Sequence, residues 1–404
     1  MKLLVILLGV ATALLAQAPG RQKRTVTDTE VLRVHKSTLL IDTHNDVTSA
    51  TVAGLDLGKP NTDHMTDIPR MKKGGMGAQI FAVYVAASYV DGNHAANRAM
   101  QMIDTVRHDI IEQHPGDFAF AGTAADIRRI HKQGKIAALM GIEGGHAIED
   151  SPRLLRDFYD LGVRYMTLTH SNSNHWADSS GDANKPNNGL SPLGKEIVAE
   201  MNRIGMIVDI SHVADKTFWD ALEVSKAPVF ASHSSCRAIS PAPRNMTDEM
   251  IAALGKKHGV VQINFSCDFL NPDVLAANAA NREKIAAMRD ELAKKYANDP
   301  QGLQRAFREA RAAAGASEKR ATLADVVKHI NHVVQIAGVD AVGLGSDFDG
   351  IGCAPEGLDS VDKWPNLTRA LLEEGYAAAE IRKMYGGNTL RLMADVERVA
   401  GLKR

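Results

Sequence analysis

The sequence predicts an α/β fold, a (β/α)8 TIM-like barrel with a helical excursion between its seventh and eighth strands. Three observations predict it. Short runs rich in aliphatic and β-branched residues alternate with longer segments of helical period, the signature of repeated βα units. Eight such runs can be counted, the number that closes a barrel. The residues that follow the runs are dense in His, Asp and Glu, as expected where a barrel collects its chemistry at the C-terminal strand ends. A doubly wound open sheet is the rival arrangement of the same units.

In chain order the runs are residues 38–43 (TLLIDT), 78–85 (AQIFAVYV), 136–142 (IAALMGI), 165–169 (YMTLT), 206–210 (MIVDI), 228–231 (PVFA), 260–265 (VVQINF) and 341–344 (AVGL). Amphipathic stretches separate them at 94–114, 151–161, 192–204, 214–224 and 247–258. Two regions break the pattern. Residues 272–321, entered through Asn271-Pro272-Asp273, are rich in Ala, Lys, Arg and Glu and form the helical excursion, its charges read as a solvated face. Residues 170–194 are dense in Ser, Asn, Asp and Gly, and a long loop leaving the C-terminal end of a barrel strand is usually functional.

The chain has 404 residues, 47 Lys+Arg against 48 Asp+Glu, and 45% hydrophobic residues. Near-neutral charge without a basic run gives no electrostatic footprint for nucleic acid. Residues 1–18 carry Lys2, an apolar run from Leu3 to Leu15 and Ala16-Gln17-Ala18, the pattern of a cleaved signal peptide. The run is shorter than the roughly 20 apolar residues of a spanning helix. Residues 19–404 are then expected as one exported barrel domain, periplasmic or secreted, without a stable membrane anchor, and a homodimer is left open. Three cysteines, Cys236, Cys267 and Cys353, are too few for a disulfide framework. Buried or free thiols are the expectation, with a Cys236–Cys267 bridge as the alternative.

The 15 histidines become informative by position. Asp42-Thr43-His44-Asn45-Asp46 ends the first run, Glu143-Gly144-Gly145-His146 the third, His170 the fourth, Ser211-His212 the fifth, Ser232-His233-Ser234 the sixth and Ser346-Asp347-Phe348-Asp349 the eighth. One such histidine is more often a structural residue than a ligand. Several strands delivering His, Asp or Glu to one face reverse that. His44 and Asp46 are two apart, so an extended backbone places both on one side. They can supply nitrogen and oxygen to one cation, Glu143 can bridge two, and His212 and His233 can complete the second. Nitrogen and oxygen ligands without thiolate suit zinc, and a pair of ions can activate one water. His44-x-Asp46 alone would equally suit a hydrogen-bonded turn. No GxSxG, P-loop, complete dinucleotide fingerprint or EF-hand loop is present, which removes serine and nucleotide chemistry.

The strings Asp42-Thr43-His44-Asn45-Asp46, Gly141-Ile142-Glu143-Gly144, Thr167-Leu168-Thr169-His170 with Trp176-Ala177-Asp178, Asp209-Ile210-Ser211-His212, Ser232-His233-Ser234-Ser235 and Gly345-Ser346-Asp347-Phe348-Asp349-Gly350 resemble, in order, those of the membrane dipeptidase (renal dipeptidase) family of zinc peptidases. The resemblance covers about residues 30–400. It implies an amidohydrolase-type barrel holding two zinc ions, His44 and Asp46 on one, His212 and His233 on the other, Glu143 bridging. It implies further that His170 stabilises the oxyanion of the attacked carbonyl, that Arg244 holds the terminal carboxylate of a dipeptide, and that Asp347 passes a proton to the leaving amine. The family cleaves dipeptides and tolerates a D-residue at the C-terminal position.

The chain departs from the family in having Ser266 after Asn264-Phe265 where animal members have Tyr, in lacking the lipid-anchor signal and the animal-type cysteines, and in its long excursion. A second enzyme reading is another binuclear amidohydrolase, an acyl-amino-acid hydrolase, esterase or lactonase. A non-enzyme reading is an exported metal carrier, which would need neither Asp347 nor His170.

Overall fold

The computed structural model describes residues 21–280, 282–296, 300–313 and 319–402, and at its centre eight parallel strands follow one another around a nearly closed barrel. In chain order the strands are β1 (Leu40–Asn45), β2 (Met76–Tyr84), β3 (Phe118–Phe120), β4 (Ile136–Glu143), β5 (Val163–Thr167), β6 (Ile207–Asp209), β7 (Phe230–Ser234), β8 (Val260–Ile263) and β9 (Val342–Leu344). The hydrogen-bonded order is β1-β2-β4-β5-β6-β7-β8-β9, and β3 pairs with β4 outside this ring. All eight runs marked in the sequence are strands of the ring. The short β3 was not among them, because three residues are too few to show a period.

The last strand returns to the first, which sets aside the open sheet. Asn45 bridges Phe348, Asp46 N donates to Phe348 O at 2.9 Å, and Asp347 N donates to His44 O at 3.0 Å. Asp42, grouped by its sequence position with the ligand types, serves this closure: its carboxylate accepts from Ser346 N at 2.8 Å and Ser346 Oγ at 2.6 Å. Every residue of β1, β4, β7 and β8 is buried, as for parallel strands covered by helices outside and side chains within.

The connecting helices start where the sequence writes caps. Ser151 and Ser191 accept from Leu154 N and Gly194 N, each followed by Pro in the first turn, satisfying an orphan N–H and presetting φ. The helix Pro192–Ile204 stops at Gly205 in the left-handed region, φ 86°, and β6 begins two residues later. The stretch 94–114 is helical as Ala95–Thr105 and then widens to a π-helix over Val106–Glu112. The excursion folds as helices Pro272–Ala280, Arg282–Lys295 and Pro300–Ala313 between β8 and β9, before the long helix Leu323–Ala337. The expected signal peptide, residues 1–18, lies outside the described residues.

The cysteine expectation is corrected. Cys267 and Cys353 form a disulfide, Cα–Cα 5.5 Å, and Cys236 is the buried free thiol. The reason is topological. Cys267 follows β8 and Cys353 follows β9, adjacent strands whose loops meet, with Cys267 N donating to Cys353 O at 3.1 Å. Cys236 follows β7 and turns instead toward the His329 carbonyl on Leu323–Ala337. Phe265, Phe348 and Trp364 pack edge to face and tilted, centroids 5.3–6.1 Å apart, a geometry worth about 0.5–1.5 kcal/mol per pair beyond area. This cluster fixes the chain immediately after Asn264 and Asp347.

Candidate metal centre and active site

The strand ends of the barrel converge on Glu143, the last residue of β4. His212 Nε2 lies 2.9 Å and His233 Nε2 3.2 Å from its Oε1, His170 Nε2 3.7 Å from the same oxygen, and His44 Nε2 3.5 Å from Oε2. His44 Nε2 is also 3.2 Å from Asp46 Oδ2. Three overlapping sets have ligand atoms within 4.8 Å of one another: His44, Glu143 and His233; Glu143, His170 and His212; His44, Asp46 and Asp347. Seven of the ligand-type residues at the strand ends thus meet in one place. Asp349 and His146, from the same strand ends, do not join them. Asp349 accepts from Met65 N and pairs with His64, and His146 bonds the Val85 carbonyl.

Charge explains why the cluster wants a cation. Burial alone would push the Glu143 carboxyl up, yet His44, His170 and the hydrogen bonds from His212 and His233 outweigh it and hold it well below the usual range. Burial, and then the Asp46 charge, push Asp347 well above its ordinary value. Burial and the Arg244 charge hold the imidazoles of His212 and His233 well below theirs, the neutral state a metal ligand needs. His44 Nε2 is buried with no well-directed hydrogen bond, while His212 and His233 bring their Nε2 atoms within 3.0 Å. An imidazole and carboxylate set with an orphaned nitrogen and no thiolate fits a divalent metal of the zinc type.

The backbone is bent to produce this convergence. His212 and Asp347 have φ of 65° and 62°, a region that costs non-glycine residues energy and that clusters at functional sites. The loop 170–194 holds the bend. Ser180 N donates to His212 O at 2.7 Å, Thr169 Oγ1 donates to it at 3.1 Å, and Ser179 Oγ donates to His170 O. The serine density of that loop therefore anchors two site histidines. Asn264 Nδ2 donates to Asp347 Oδ2 at 2.7 Å. Gly350 is required by close approach: a Cβ there would lie 2.3 Å from Asp46 Oδ2 and 2.5 Å from Asp347 Oδ1.

His170 and Arg244 flank the cluster. His170 is edge-on to Tyr84 with centroids 4.9 Å apart, and burial lowers its pKa, favouring the neutral ring. Arg244 gives Nη1 to Ser234 Oγ at 2.5 Å and Nη2 to the His233 carbonyl at 2.6 Å. Its Nε has no partner, and among the described residues no carboxylate pairs with it. Burial brings its pKa down to about 10. Ser266 is partly buried in the turn after β8.

Sequence reasoning passed over several supporting residues. Tyr165, inside β5, reaches across to His44 Nδ1 at 2.7 Å. Asp209 and Ser232 stand in quoted strings but drew no role, and Asn264 was noted only as a neighbour of Ser266. The usable signal was a polar tip inside an apolar strand, which must find a partner when buried.

Comparisons agree with the geometry. The family model described as membrane dipeptidase, peptidase family M19, matches residues 29–403. An uncharacterized dipeptidase of Schizosaccharomyces pombe is 34% identical over 375 residues, covering 89% of this chain and 81% of that protein. The probable dipeptidase PvdM from Pseudomonas aeruginosa shares the fold at TM-score 0.78 and 24% identity, over 92% of this chain and 98% of that one. A metallo peptidase from Rhodobacter sphaeroides, crystallised with a phosphinate mimic of the dipeptide L-Ala-D-Ala, superposes at TM-score 0.71 and 26% identity, over 89% and 100%. The chain belongs to the membrane dipeptidase family, peptidase family M19, and is a metal-dependent enzyme that hydrolyses dipeptides.

Proposed function

We propose that this chain is a zinc dipeptidase with two zinc ions per chain, exported after loss of residues 1–18, that hydrolyses dipeptides including those with a D-residue at the C-terminal position. The observation that carries the substrate class is Arg244. A half-buried guanidinium beside the histidine cluster, its Nε buried without a partner and its terminal nitrogens held by Ser234 Oγ and the His233 carbonyl, carries an unneutralised positive charge that suits a free carboxylate. His44, Asp46, Glu143, His212 and His233 are the residues that would hold the ions. Bound there, the ions supply Lewis acidity and lower the pKa of water toward neutrality.

The chain's own groups do the rest. Arg244 fixes the substrate's C-terminal carboxylate and so places the peptide carbonyl over Glu143. His170, whose burial favours the neutral ring, donates to the carbonyl oxygen as negative charge develops. Asp347 enters the step ionised, and its raised proton affinity, from burial beside Asp46, lets its carboxylate receive the proton of the attacking water and then deliver it to the leaving amine. Glu143 also shares in catalysis by keeping the water's environment negative on one side. The phosphinate mimic of L-Ala-D-Ala held by the Rhodobacter sphaeroides enzyme supports the D-residue, and the Cys267–Cys353 bond supports an oxidising compartment. Among the described residues no helix is long and apolar enough to cross a membrane.

The test is a panel of L,L- and L,D-dipeptides alongside N-acyl amino acids, esters and lactones, incubated with zinc-loaded enzyme of measured metal content. Turnover of dipeptides, L-Xaa-D-Xaa among them, at two zinc per chain is expected. Faster hydrolysis of the N-acyl amino acids, esters or lactones would transfer the assignment to another binuclear amidohydrolase.

A further inference from the structure

His44 and His233 share an arrangement that their sequence surroundings do not suggest. Each turns Nε2 toward Glu143, and each sets Nδ1 against a hydroxyl, Tyr165 Oη at 2.7 Å for His44 and Ser232 Oγ at 2.7 Å for His233. Each hydroxyl has a second neighbour that can only accept. Tyr165 Oη donates to the Thr43 carbonyl at 3.2 Å, and Ser232 Oγ donates to Asp209 Oδ2 at 2.6 Å. A hydroxyl owns one proton. With that proton directed at the carbonyl or carboxylate, the oxygen offers Nδ1 a lone pair, and the arrangement favours hydrogen on Nδ1. Nε2 is then left with its own lone pair facing the cluster.

Both hydroxyls are built into place. The Tyr165 ring lies where a side chain on Gly141 would be, 2.0 Å from its Cζ, and packs edge-on to Phe230 at 5.3 Å. Asp209 accepts from Ser211 N at 3.0 Å, Ser232 N at 2.8 Å and Thr167 Oγ1 at 2.5 Å as well as from Ser232 Oγ, so its carboxylate has no freedom to turn.

We propose that Tyr165 and the Ser232–Asp209 pair are positioning residues that lock His44 and His233 in the tautomer whose Nε2 is free for a divalent cation. The proposal rests on the reading of these two histidines as cation ligands. A purely structural role, in which buried hydroxyls merely find partners, predicts lost stability without lost affinity. The experiment measures zinc affinity by chelator competition, and thermal stability of the metal-free protein, for wild type, Tyr165→Phe, Ser232→Ala and Ser232→Thr. Tyr165→Phe and Ser232→Ala are each expected to weaken zinc binding about 10- to 100-fold, and Ser232→Thr, which keeps the hydroxyl, to restore it. Should Tyr165→Phe not fold, the serine pair carries the test. Wild-type affinity in both Tyr165→Phe and Ser232→Ala, or a threonine variant as weak as the alanine, would overturn the proposal while leaving the ligand set intact. A wild-type protein that binds no zinc would overturn the ligand reading beneath it.

Discussion

Removing the Cys267–Cys353 bond should lower stability without touching turnover at room temperature. The two cysteines are 86 residues apart, and releasing a loop of that length in the unfolded chain costs the native state about 4 to 5 kcal/mol on the chain-entropy account. With an unfolding entropy of about 2.1 cal/mol/K per residue over 404 residues, that is a fall in Tm of roughly 5 °C. The native loops stay joined without the sulfurs, because Cys267 N still donates to Cys353 O at 3.1 Å and Asn264 still holds Asp347 at 2.7 Å. A Cys267→Ala/Cys353→Ala variant should therefore melt earlier and keep its kcat at 25 °C. Thiol titration in denaturant gives the independent control: one reactive thiol per chain, Cys236, rising to three after reduction. Three thiols before reduction, or an unchanged Tm once the bond is shown to be gone, would refute the reasoning.

Gly350→Ala places a methyl 2.3 Å from Asp46 Oδ2 and 2.5 Å from Asp347 Oδ1, so both carboxylates must move and kcat should fall about 100-fold, the cost of an ångström-scale misplacement; an unaltered kcat would show that the turn relaxes freely. Arg244→Lys keeps the charge but loses the fork, and one lost charge-assisted hydrogen bond of about 1.5–3 kcal/mol predicts a fall of roughly 10- to 150-fold in kcat/KM for dipeptides, whereas equal values would remove Arg244 from substrate binding. His329 accepts from Cys236 N and bonds the Leu270 carbonyl, both at 3.0 Å, and burial brings its pKa down to about 4. The folded state thus binds its proton later than the unfolded chain, whose value is about 6.5, so its contribution is complete above pH 6.5 and is lost as pH falls toward 4, about 3 kcal/mol in all. Denaturant unfolding at pH 7 and pH 4 should show that much less acid sensitivity in His329→Gln, and identical sensitivity would refute the assignment.

The residues legible in the sequence are those whose role depends on position along one strand. Each barrel strand is a buried apolar run, and the ligand-type residue stands where the run stops, so His44, Glu143, His212 and Asp347 announce themselves by ending a pattern. His233 follows the same logic, two residues past the apolar run 228–231, although the strand itself continues to Ser234, as β1 continues past His44. The residues that stayed hidden act across the barrel. Tyr165 reaches His44 over a sequence separation of 121, and Gly141 matters only because that ring crosses it. Neither relation leaves a periodic trace. The disulfide was missed for the same cause: pairing Cys267 with Cys353 instead of Cys236 requires knowing that β8 and β9 are neighbours whose loops turn toward each other.

The cross-barrel contacts also account for how the fold tolerates its own site. Two residues of the cluster, His212 and Asp347, sit at positive φ, each a cost of about 1–3 kcal/mol, and Asp46, Glu143 and Asp347 crowd three carboxyls into a buried space. Such an arrangement persists only where its surroundings leave it no alternative. Here the bend at His212 is held by three donors to its carbonyl, Ser180 N, Ser180 Oγ and Thr169 Oγ1. The bend at Asp347 is held by the closure of β9 onto β1 and by the Phe265–Phe348–Trp364 cluster. The loop that looked functional because of its composition is thus functional through its backbone contacts. Ser179 and Ser180 keep the carbonyls of His170 and His212 where the two imidazoles converge on Glu143.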